Sequence, residues 1–514
     1  MLVKTRAIDR VVTDKPYLNE RRFGLPFIGA RSDGEKFNPE VQSIADAIDY
    51  YGYEVRDENI VTAPDIDLGS GNPMRFKPFP LSIEEMKKSL ESDMMYRYPY
   101  TEGDDNIRKK LLEYVESIGF INTHPYSYED IDDKGMSVHN ITFLPSTSII
   151  FNLIVEIISK PGDVILITGP SYGLFTIRAE RAGAEVEIIE LEKEDNFLVN
   201  PEKLAKRIDE INESLQKAYH RRRDYVPRVV AFLNANPNNP TGKVMGEKHA
   251  NLLTQIAQVC LQRGVFVIDD LVYRDISYDA ENLAKPIASI PIQGVFQNTI
   301  SLFGLSKSYG MASLRAGFVV ADEVIIREVV NKTFQSMDSP SDILGKALVG
   351  AFQVSKRKDK IYKEYFDELR KRYVFKFNLL KAMVSGIISI DNYVYKKEVI
   401  EEVEKILGKD EAKTLLSAGL PYVDFVKNLE PESGFFAILD FTPIKGMKYN
   451  GRPIYTEKDL LNFFYKEIRL RFLVGKSFSW PYKNELVGRV TFAYDNSMLV
   501  KTFMKMYYCL QKLT

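Results

Sequence analysis

The chain has 514 residues, which is enough for two or three domains around a large buried core. Apolar residues make up 45%, charged residues 27%, and 69 basic side chains nearly balance 71 acidic ones. This composition is ordinary for a globular protein and argues against nucleic acid or a membrane surface as the main partner.

Cysteine usage and the absence of long apolar stretches indicate the compartment. Cys260 and Cys509 lie far apart in the sequence, so we expect a reducing environment, no disulfide framework and no metal site. The N-terminal residues MLVKTRAIDRVVTDK contain no apolar stretch of signal-peptide length. No window reaches the roughly 18 apolar residues that a membrane span needs. We therefore expect a cytoplasmic protein.

The middle of the chain alternates short apolar runs with a helical pattern. Strands are predicted at residues 164–168, 229–233, 265–268, 299–305 and 316–321, with a helix at about 247–262. Fully apolar strands separated by helices indicate an α/β fold with a mostly parallel sheet that is covered on both faces. In such sheets ligands bind at the carboxyl ends of the strands.

The two ends of the chain differ from this middle part. They are rich in charged amphipathic helices, such as residues 359–380 and 397–407, with a strand at 435–441. We predict a large domain at 96–344 and a smaller α+β domain built from both chain ends, 1–95 and 345–514. The first of these two segments includes an N-terminal extension.

The motif NANPNNPTGKV, residues 234–244, follows the second predicted strand. Its two Asn-Pro pairs favour a rigid turn, because proline fixes its own φ and restricts the residue before it. A plain surface turn is the alternative, but an N-P-x-N-P-T-G motif at a sheet edge indicates a functional loop.

The third predicted strand ends in two adjacent carboxylates, Asp269 and Asp270, and Tyr273 follows three residues after the second. Such a pair is costly at the end of a buried strand unless a cation meets one of the two. A protonated pyridine nitrogen would be a suitable cation. The alternative is that one acid caps a helix and the other is solvated.

Two upstream segments suggest an anion site with an aromatic lid. Ser146, Thr147 and Ser148 precede a strongly apolar helix, and hydroxyls and N–H groups at a helix start can bind an anion, although these residues are also common caps. After the strand at 164–168, the segment GPSYG carries Tyr172. Tyr172 is either a lid over a ligand or part of the core.

Lys307 lies between two serines, on the predicted turn between the strands at 299–305 and 316–321. A lysine held between two core elements is partly desolvated, which lowers its pKa and makes it available as a nucleophilic amine. Arg315 follows eight residues later.

Together these motifs resemble the class I/II aminotransferases, fold type I enzymes that use pyridoxal 5′-phosphate (PLP), over roughly residues 60–500. The resemblance implies that Lys307 holds PLP as an aldimine and moves the substrate proton. It implies that Asp270 pairs with the pyridine nitrogen and that Tyr273 and Asn239 bond the ring oxygen. The remaining cofactor contacts that it implies are Ser146, Thr147, Ser148, Tyr172, Ser306, Arg315 and, in the YPYTEG segment, Tyr98 from the neighbouring subunit of a homodimer.

The resemblance also implies a substrate site. Arg489, in LVGRVTFAYD, takes the place of the arginine that binds the substrate α-carboxylate, with Gly71 and Asn239 as further substrate contacts. Arg75 is a candidate cation for the distal end of a dicarboxylic substrate. The implied reaction moves an amino group between an L-amino acid and a 2-oxo acid.

The chain also departs from the family pattern. Gly304 stands where the family often has serine, Val474-Gly475 replaces a common Pro-Gly, and residues 386–427 form an insertion. These departures leave open a PLP-dependent lyase or decarboxylase, such as an aspartate 4-decarboxylase-like enzyme, as the alternative function. A non-enzymatic regulator that carries such a domain is disfavoured, because residues 1–60 show no pair of short basic helices.

Overall fold

The computed structural model describes residues 55–57, 60–62, 66–73, 76–123, 132–219, 225–357 and 359–514. Most of the predicted N-terminal extension, and Arg75, therefore lie outside the described residues. Within the described ranges, no helix combines the length and the apolar character that crossing a membrane requires.

The described part of the chain alternates helices and strands. The strands are β1 (Val55–Asp57), β2 (Ile60–Thr62), β3 (Ile66–Asp67), β4 (Ile141–Leu144), β5 (Val164–Gly169), β6 (Glu185–Glu190), β7 (Val229–Ala235), β8 (Phe266–Asp270), β9 (Thr299–Gly304), β10 (Gly317–Val320), β11 (Asp424–Phe425), β12 (Phe436–Asp440), β13 (Lys448–Tyr449), β14 (Arg452–Pro453), β15 (Leu470–Arg471), β16 (Leu473–Val474) and β17 (Val487–Thr491). The α-helices are α1 (Pro80–Leu90), α2 (Asp105–Ser117), α3 (Thr147–Ile158), α4 (Leu174–Arg181), α5 (Pro201–Tyr219), α6 (Ala250–Gln262), α7 (Glu323–Met337), α8 (Asp342–Phe352), α9 (Lys360–Ser385), α10 (Tyr393–Leu407), α11 (Lys409–Ala418), α12 (Glu457–Ile468) and α13 (Asn496–Leu510).

A seven-stranded sheet organises the middle of the chain, with strand order β4-β10-β9-β8-β7-β5-β6. Strands β6, β5, β7, β8 and β9 are parallel neighbours, whereas β10 runs antiparallel to both β9 and β4. The predicted α/β class with a mostly parallel sheet is confirmed. The strand β8 extends through both carboxylates, because Asp269 and Asp270 continue the ladder between β7 and β9.

Apolar side chains cover both faces of this sheet. On one face, residues of α3 and α7, such as Ile154 and Val329, pack on strand residues such as Ile167. On the other face, residues of α5 and α6, such as Ile208 and Ile256, form a second core. Because the helices exclude water from both faces, polar side chains reach a ligand only at the strand ends.

A second, antiparallel sheet in the C-terminal part has strand order β11-β12-β17-β16. Strand β3 from the N-terminal part pairs in parallel with β15. Beyond β3, the Leu68 N–H donates to the Arg471 carbonyl (2.8 Å), and the Thr491 N–H donates to the Leu68 carbonyl (2.7 Å). The residues after β3 are thereby held beside the C-terminal sheet. Helices α10 and α11 occupy the predicted insertion at 386–427 and pack on α9 and α13.

Helix α1 continues from this N-terminal segment and packs closely on α8. The Ser82 hydroxyl donates to the Ala347 carbonyl (2.7 Å), and Gly350 lies beneath the backbone of α1. The Phe79 N–H, just before α1, donates to the Tyr309 carbonyl (3.0 Å). The docking of α1 on α8 therefore helps to hold residues 76–79 near Lys307.

We expect the Gly350→Ala substitution to destabilise the protein by about 1–3 kcal/mol, although alanine in a helix interior ordinarily gains up to about 1 kcal/mol over glycine. The new Cβ would lie 2.5 Å from the Leu81 carbonyl oxygen and 2.6 Å from the Ser82 Cα, so α1 would have to move. Urea unfolding measures the change. The control is Gly345→Ala in the same helix, whose Cβ would meet only side-chain atoms, the tip of Ile107 and the ring of Phe143 (2.7 Å each), and should cost less because side chains shift more readily than a helix backbone. A Gly350→Ala protein as stable as the wild type would contradict this packing.

Candidate active site

Three loops meet at the carboxyl end of the parallel strands. The Asn236 N–H, after β7, donates to the Asp270 carbonyl at the end of β8 (3.0 Å). The Asn238 side chain donates to the Pro170 carbonyl after β5 (3.3 Å). The Asn-Pro motif, the acidic pair and the GPSYG segment, which are far apart in sequence, are thus brought to one edge of the sheet.

Lys307 lies on the connection between β9 and β10, as predicted. Its Nζ donates to the Gly71 carbonyl (2.7 Å) and lies 5.8 Å from the centre of the Tyr273 ring. Burial, and then the positive charges of Arg489 and Arg315, lower the pKa of Lys307 to about 8, although the Asp270 carboxylate opposes them. Near physiological pH this amine is neutral in a larger fraction of molecules than an ordinary lysine, so it can act as a nucleophile or a base.

The two adjacent carboxylates take different roles because successive side chains of a strand point to opposite faces. Asp269 is fully buried and accepts bonds from the Asn234 side chain (2.8 Å) and the Ile287 N–H (2.9 Å). Asp270 accepts one bond, from the Val272 N–H (3.2 Å), and is partly accessible. Burial raises the pKa of Asp270 to about 7. Asp270, on the side of Lys307, is therefore the carboxylate that can meet a ligand cation.

Arg489, on β17, is buried and held in one orientation. Its two terminal nitrogens donate to the Asn239 side-chain oxygen (3.0 Å) and to the Gly69 carbonyl (2.6 Å). The guanidinium carbon lies 3.9 Å from the centre of the Phe436 ring. These contacts fix the plane of the guanidinium, which matches the planar fork needed to bind a carboxylate. The side chain of Asn239 and the ring of Phe436 also line a narrow surface cleft, together with Tyr273.

The three residues of the predicted anion site lie at the start of α3. Ser146 caps the helix with a positive φ of 81°, and its hydroxyl accepts from the Ile149 N–H (3.4 Å). Thr147 and Ser148 form the first turn, where helical N–H groups lack intrahelical partners. Thr147 also lies against Gly304, because a Cβ on that glycine would be 3.2 Å from its Cγ2.

Arg315 and Ser306 lie next to Lys307 in the same connection. Arg315 adopts a left-handed backbone conformation (φ 56°) and is exposed. Its guanidinium donates to the Ala312 carbonyl (3.1 Å) and approaches the Ser306 hydroxyl at 3.5 Å. Because Arg315 contributes to the lowered pKa of Lys307, its charge acts on the site even though the side chain is exposed.

The two predicted tyrosines differ in position. Tyr172 is partly buried, and its ring packs edge-on against Phe175 with 5.4 Å between the centroids. Tyr98 is 88% exposed, so a single chain does not bring it into the site.

Sequence reasoning missed several site groups. The Gly69 carbonyl, which orients Arg489, is a backbone group and leaves no side-chain signal. The strand that carries Phe436 was predicted, but only the pairing of Ile438 with Arg489 between β12 and β17 shows that the ring lies below the guanidinium.

The family model for class I and II aminotransferases matches residues 63–400, which include Lys307, Asp270 and the Asn-Pro motif. The chain belongs to this family. The family uses PLP as its cofactor. Arg489 lies beyond the matched residues, so its place in the site rests on the contacts described above.

Curated relatives are similar to this chain over about half of its length. The chain is 28% identical to an aspartate aminotransferase of Musicola paradisiaca over 265 residues, which are 51% of this chain and 57% of the relative. It is 28% identical to an LL-diaminopimelate aminotransferase of Dehalococcoides mccartyi over 260 residues, 50% of this chain and 57% of the relative. The chain thus spans a little over half the length of these curated relatives.

Solved structures show the same fold at low sequence identity. The aspartate aminotransferase of Rhizobium meliloti superposes with a TM-score of 0.67 at 16% identity, covering 94% of this chain and 98% of that one. The aromatic aminotransferase of Pyrococcus horikoshii OT3 gives a TM-score of 0.62 at 22% identity, covering 87% and 96%. These similarities confirm the fold type I architecture.

The described residues fit PLP. Its aldehyde needs an amine of lowered pKa, which Lys307 supplies, and its ring nitrogen needs a carboxylate of raised pKa, which Asp270 supplies. Its phosphate needs N–H donors and positive charge, which the first turn of α3 and Arg315 supply. We therefore expect the cofactor to lie along the edge between these groups.

We expect the Asp270→Asn substitution to stabilise the cofactor-free protein. The carboxyl pKa is about 7 in the folded protein and near 4 in the unfolded chain, so the folded state holds the proton more tightly. Wild-type stability then falls as the pH rises from about 4 to about 7, whereas asparagine does not titrate. The advantage of the variant should grow by about 1–2 kcal/mol between about pH 5.5 and pH 8.

Urea unfolding of both cofactor-free proteins at the two pH values measures this difference. A stability difference that does not change with pH would contradict the raised pKa of Asp270.

Proposed function

We propose that this chain is a PLP-dependent aminotransferase that moves the amino group between an L-amino acid and a 2-oxo acid. The observation that carries the proposal is the placement of Arg489, held by Asn239 and Gly69, near the Lys307 amine, which Gly71 holds beside the Tyr273 ring. An amino acid whose carboxylate meets the guanidinium would present its α-carbon on the side of the lysine.

Bound PLP supplies an electron-withdrawing ring that stabilises negative charge at the substrate α-carbon. Asp270 is the anionic partner proposed for the protonated ring nitrogen. Its raised pKa in the absence of that cation supports the role, because a largely desolvated carboxylate gains stability from a nearby positive charge.

Lys307 is the proposed general base. With a pKa of about 8, its Nζ can take the α-proton of the substrate and, as an ammonium, return it. The bond from Nζ to the Gly71 carbonyl and the nearby Tyr273 ring restrict the directions in which the amine can point. Gly71 has no side chain on the side of the amine. A Cβ at this position would lie 3.4 Å from the Lys307 Nζ.

Arg489 is the proposed substrate-carboxylate group. A guanidinium whose plane is already set loses little conformational entropy when it binds a carboxylate in two parallel bonds. Fixing the carboxylate fixes which bond of the α-carbon faces Lys307, and orientation of this kind lowers the barrier to proton transfer. The substrate side chain would extend along the cleft past Tyr273 and Phe436.

A homodimer in the cytoplasm is part of the proposal. The exposed side chains of Leu90, Met95, Tyr96, Tyr98 and Tyr100 form an apolar stretch between α1 and α2 that a second copy would cover. Tyr98 would then reach the phosphate of the neighbouring subunit. The buried free thiols of Cys260 and Cys509 agree with a reducing compartment.

A two-step assay tests the reaction class. We expect a good amino-acid donor, supplied without an acceptor, to release one equivalent of 2-oxo acid per site and to change the visible absorbance of the bound cofactor. A 2-oxo acid added next should restore the original absorbance, which gives ping-pong kinetics. Sustained turnover of the amino acid alone, with continuous release of carbon dioxide or ammonia, would overturn the proposal in favour of a lyase or decarboxylase.

Replacing Arg489 by lysine should raise the KM for the amino acid and lower kcat/KM by the equivalent of about 2–4 kcal/mol, because a lysine cannot form the bidentate contact. The matched control is Arg471→Lys, which removes another buried guanidinium, located on β15 beside Asp67. The control should lose stability while its KM stays within about twofold of the wild type. Equal KM effects in the two variants would argue against a substrate role for Arg489.

A further inference from the structure

We propose that Asp275 and Tyr309 are positioning residues, and that the buried bond between them holds the loop carrying Lys307 (the lysine loop, residues 306–311) against the loop carrying Tyr273 (the tyrosine loop, residues 270–276). Neither residue belongs to the motifs described above. The inference deepens the proposed function, because it concerns the placement of the proposed catalytic amine.

Two hydrogen bonds join the two loops beneath the active site. The Ser308 hydroxyl donates to the Val272 carbonyl (3.3 Å). The Tyr309 hydroxyl donates to Oδ2 of Asp275 (2.7 Å). In each bond the donor is within two residues of Lys307, and the acceptor is within two residues of Tyr273. Both bonds therefore resist a shift of one loop relative to the other.

The acceptor in the second bond is an ionised carboxylate. Asp275 is buried and accepts from the guanidinium groups of Arg274 (3.1 Å) and Arg357 (3.2 Å). Burial by itself would raise the pKa of Asp275, but Arg357, Arg274 and the Tyr309 hydroxyl together hold it below its ordinary value. A hydrogen bond to a charged acceptor away from water is stronger than one between neutral groups. The Asp275 bond is thus the stronger of the two ties between the loops.

Packing fixes the direction of the Tyr309 hydroxyl. The ring meets Phe79, Phe352 and Phe366 edge-on, with centroid separations of 5.3, 5.0 and 5.5 Å. A phenylalanine at this position can keep all three ring contacts and loses only the hydroxyl. The Tyr309→Phe substitution therefore separates the hydrogen bond from the packing of the core.

We expect the bond between Asp275 and Tyr309 to affect the pKa of Lys307 by limiting how much water reaches the amine. The charged and titratable groups that act on the Lys307 amine are Arg489, Arg315 and Asp270, with the Tyr273 ring alongside. Because burial is the largest cause of the lowered pKa of Lys307, a looser lysine loop should admit water and move this pKa back towards its ordinary value.

The matched control is Tyr225→Phe. The Tyr225 hydroxyl also donates to a buried aspartate, Asp163 (2.7 Å), but this pair lies at the amino end of β5, at the edge of the sheet opposite the active site. The control thus removes the same kind of bond without touching either loop.

The experiment measures how the labelling of Lys307 by acetic anhydride depends on pH in the full-length, cofactor-free proteins, with peptide mass spectrometry as the readout. Wild type and Tyr225→Phe should both show a midpoint near pH 8. Tyr309→Phe should show a midpoint about one pH unit higher, and hence about tenfold slower labelling near pH 7. In the holoenzyme, Tyr309→Phe should lower kcat while KM stays within about twofold of the wild type.

A Tyr309→Phe midpoint equal to that of wild type and control, with similar losses of Tm in both variants, would overturn the inference and leave the Asp275 bond a purely structural one. The labelling needs no substrate, so it tests the positioning role even if the wild type fails to transaminate. A chain that labels as expected but shows no transamination would support the positioning role and would refute the proposed function.

Discussion

The site depends on two opposite charges placed close together where little water reaches them. Burial favours the neutral forms of both Lys307 and Asp270, which lowers the pKa of the amine to about 8 and raises that of the carboxyl to about 7. Each partner also stabilises the charged form of the other, so neither shift goes to completion. Shifts of this kind, produced by burial of charged groups that also act on each other, are typical of functional sites.

The N-terminal segment between β3 and α1 serves the site through its backbone. The Gly69 carbonyl accepts from Arg489 and the Gly71 carbonyl accepts from Lys307, so adjacent parts of one short segment orient both cationic groups. The pairing of β3 with β15, and the bond from Thr491 to Leu68, hold this segment in place. Both contacts are made by backbone carbonyls, so they do not require particular side chains. Only Gly71, which lies next to the Lys307 amine, favours a small residue.

Local patterns predicted much of the fold. Apolar runs identified β5, β7, β8, β9 and β10 to within two residues at each end, because a strand that is buried on both faces requires continuous apolar side chains. The alternation of side chains along β8 also explains why Asp270, and not Asp269, faces Lys307. The division into a large and a small domain remains a prediction.

The site was predictable in part. Lys307, Asp270 and Asn239 follow predicted strands, and strand ends are where a parallel sheet binds its ligands. The roles proposed for Asp275 and Tyr309 could not be predicted, since a buried carboxylate and its hydrogen-bond donor look the same in sequence as exposed polar residues. Tyr98 lies on the surface of a single chain, so its predicted role depends on a second copy.

The sequence by itself determined five strands of the large sheet, the rigid Asn-Pro turn, the capped start of α3 and the position of Lys307 between two strands. These features depend on steric limits and hydrogen bonds between residues that are neighbours along the chain. Only the tertiary structure decided that the Lys307 amine meets a carbonyl 236 residues away and that Arg489 meets Asn239, 250 residues away. It also decided the shifted pKa values, because these depend on which distant segments exclude water from each group.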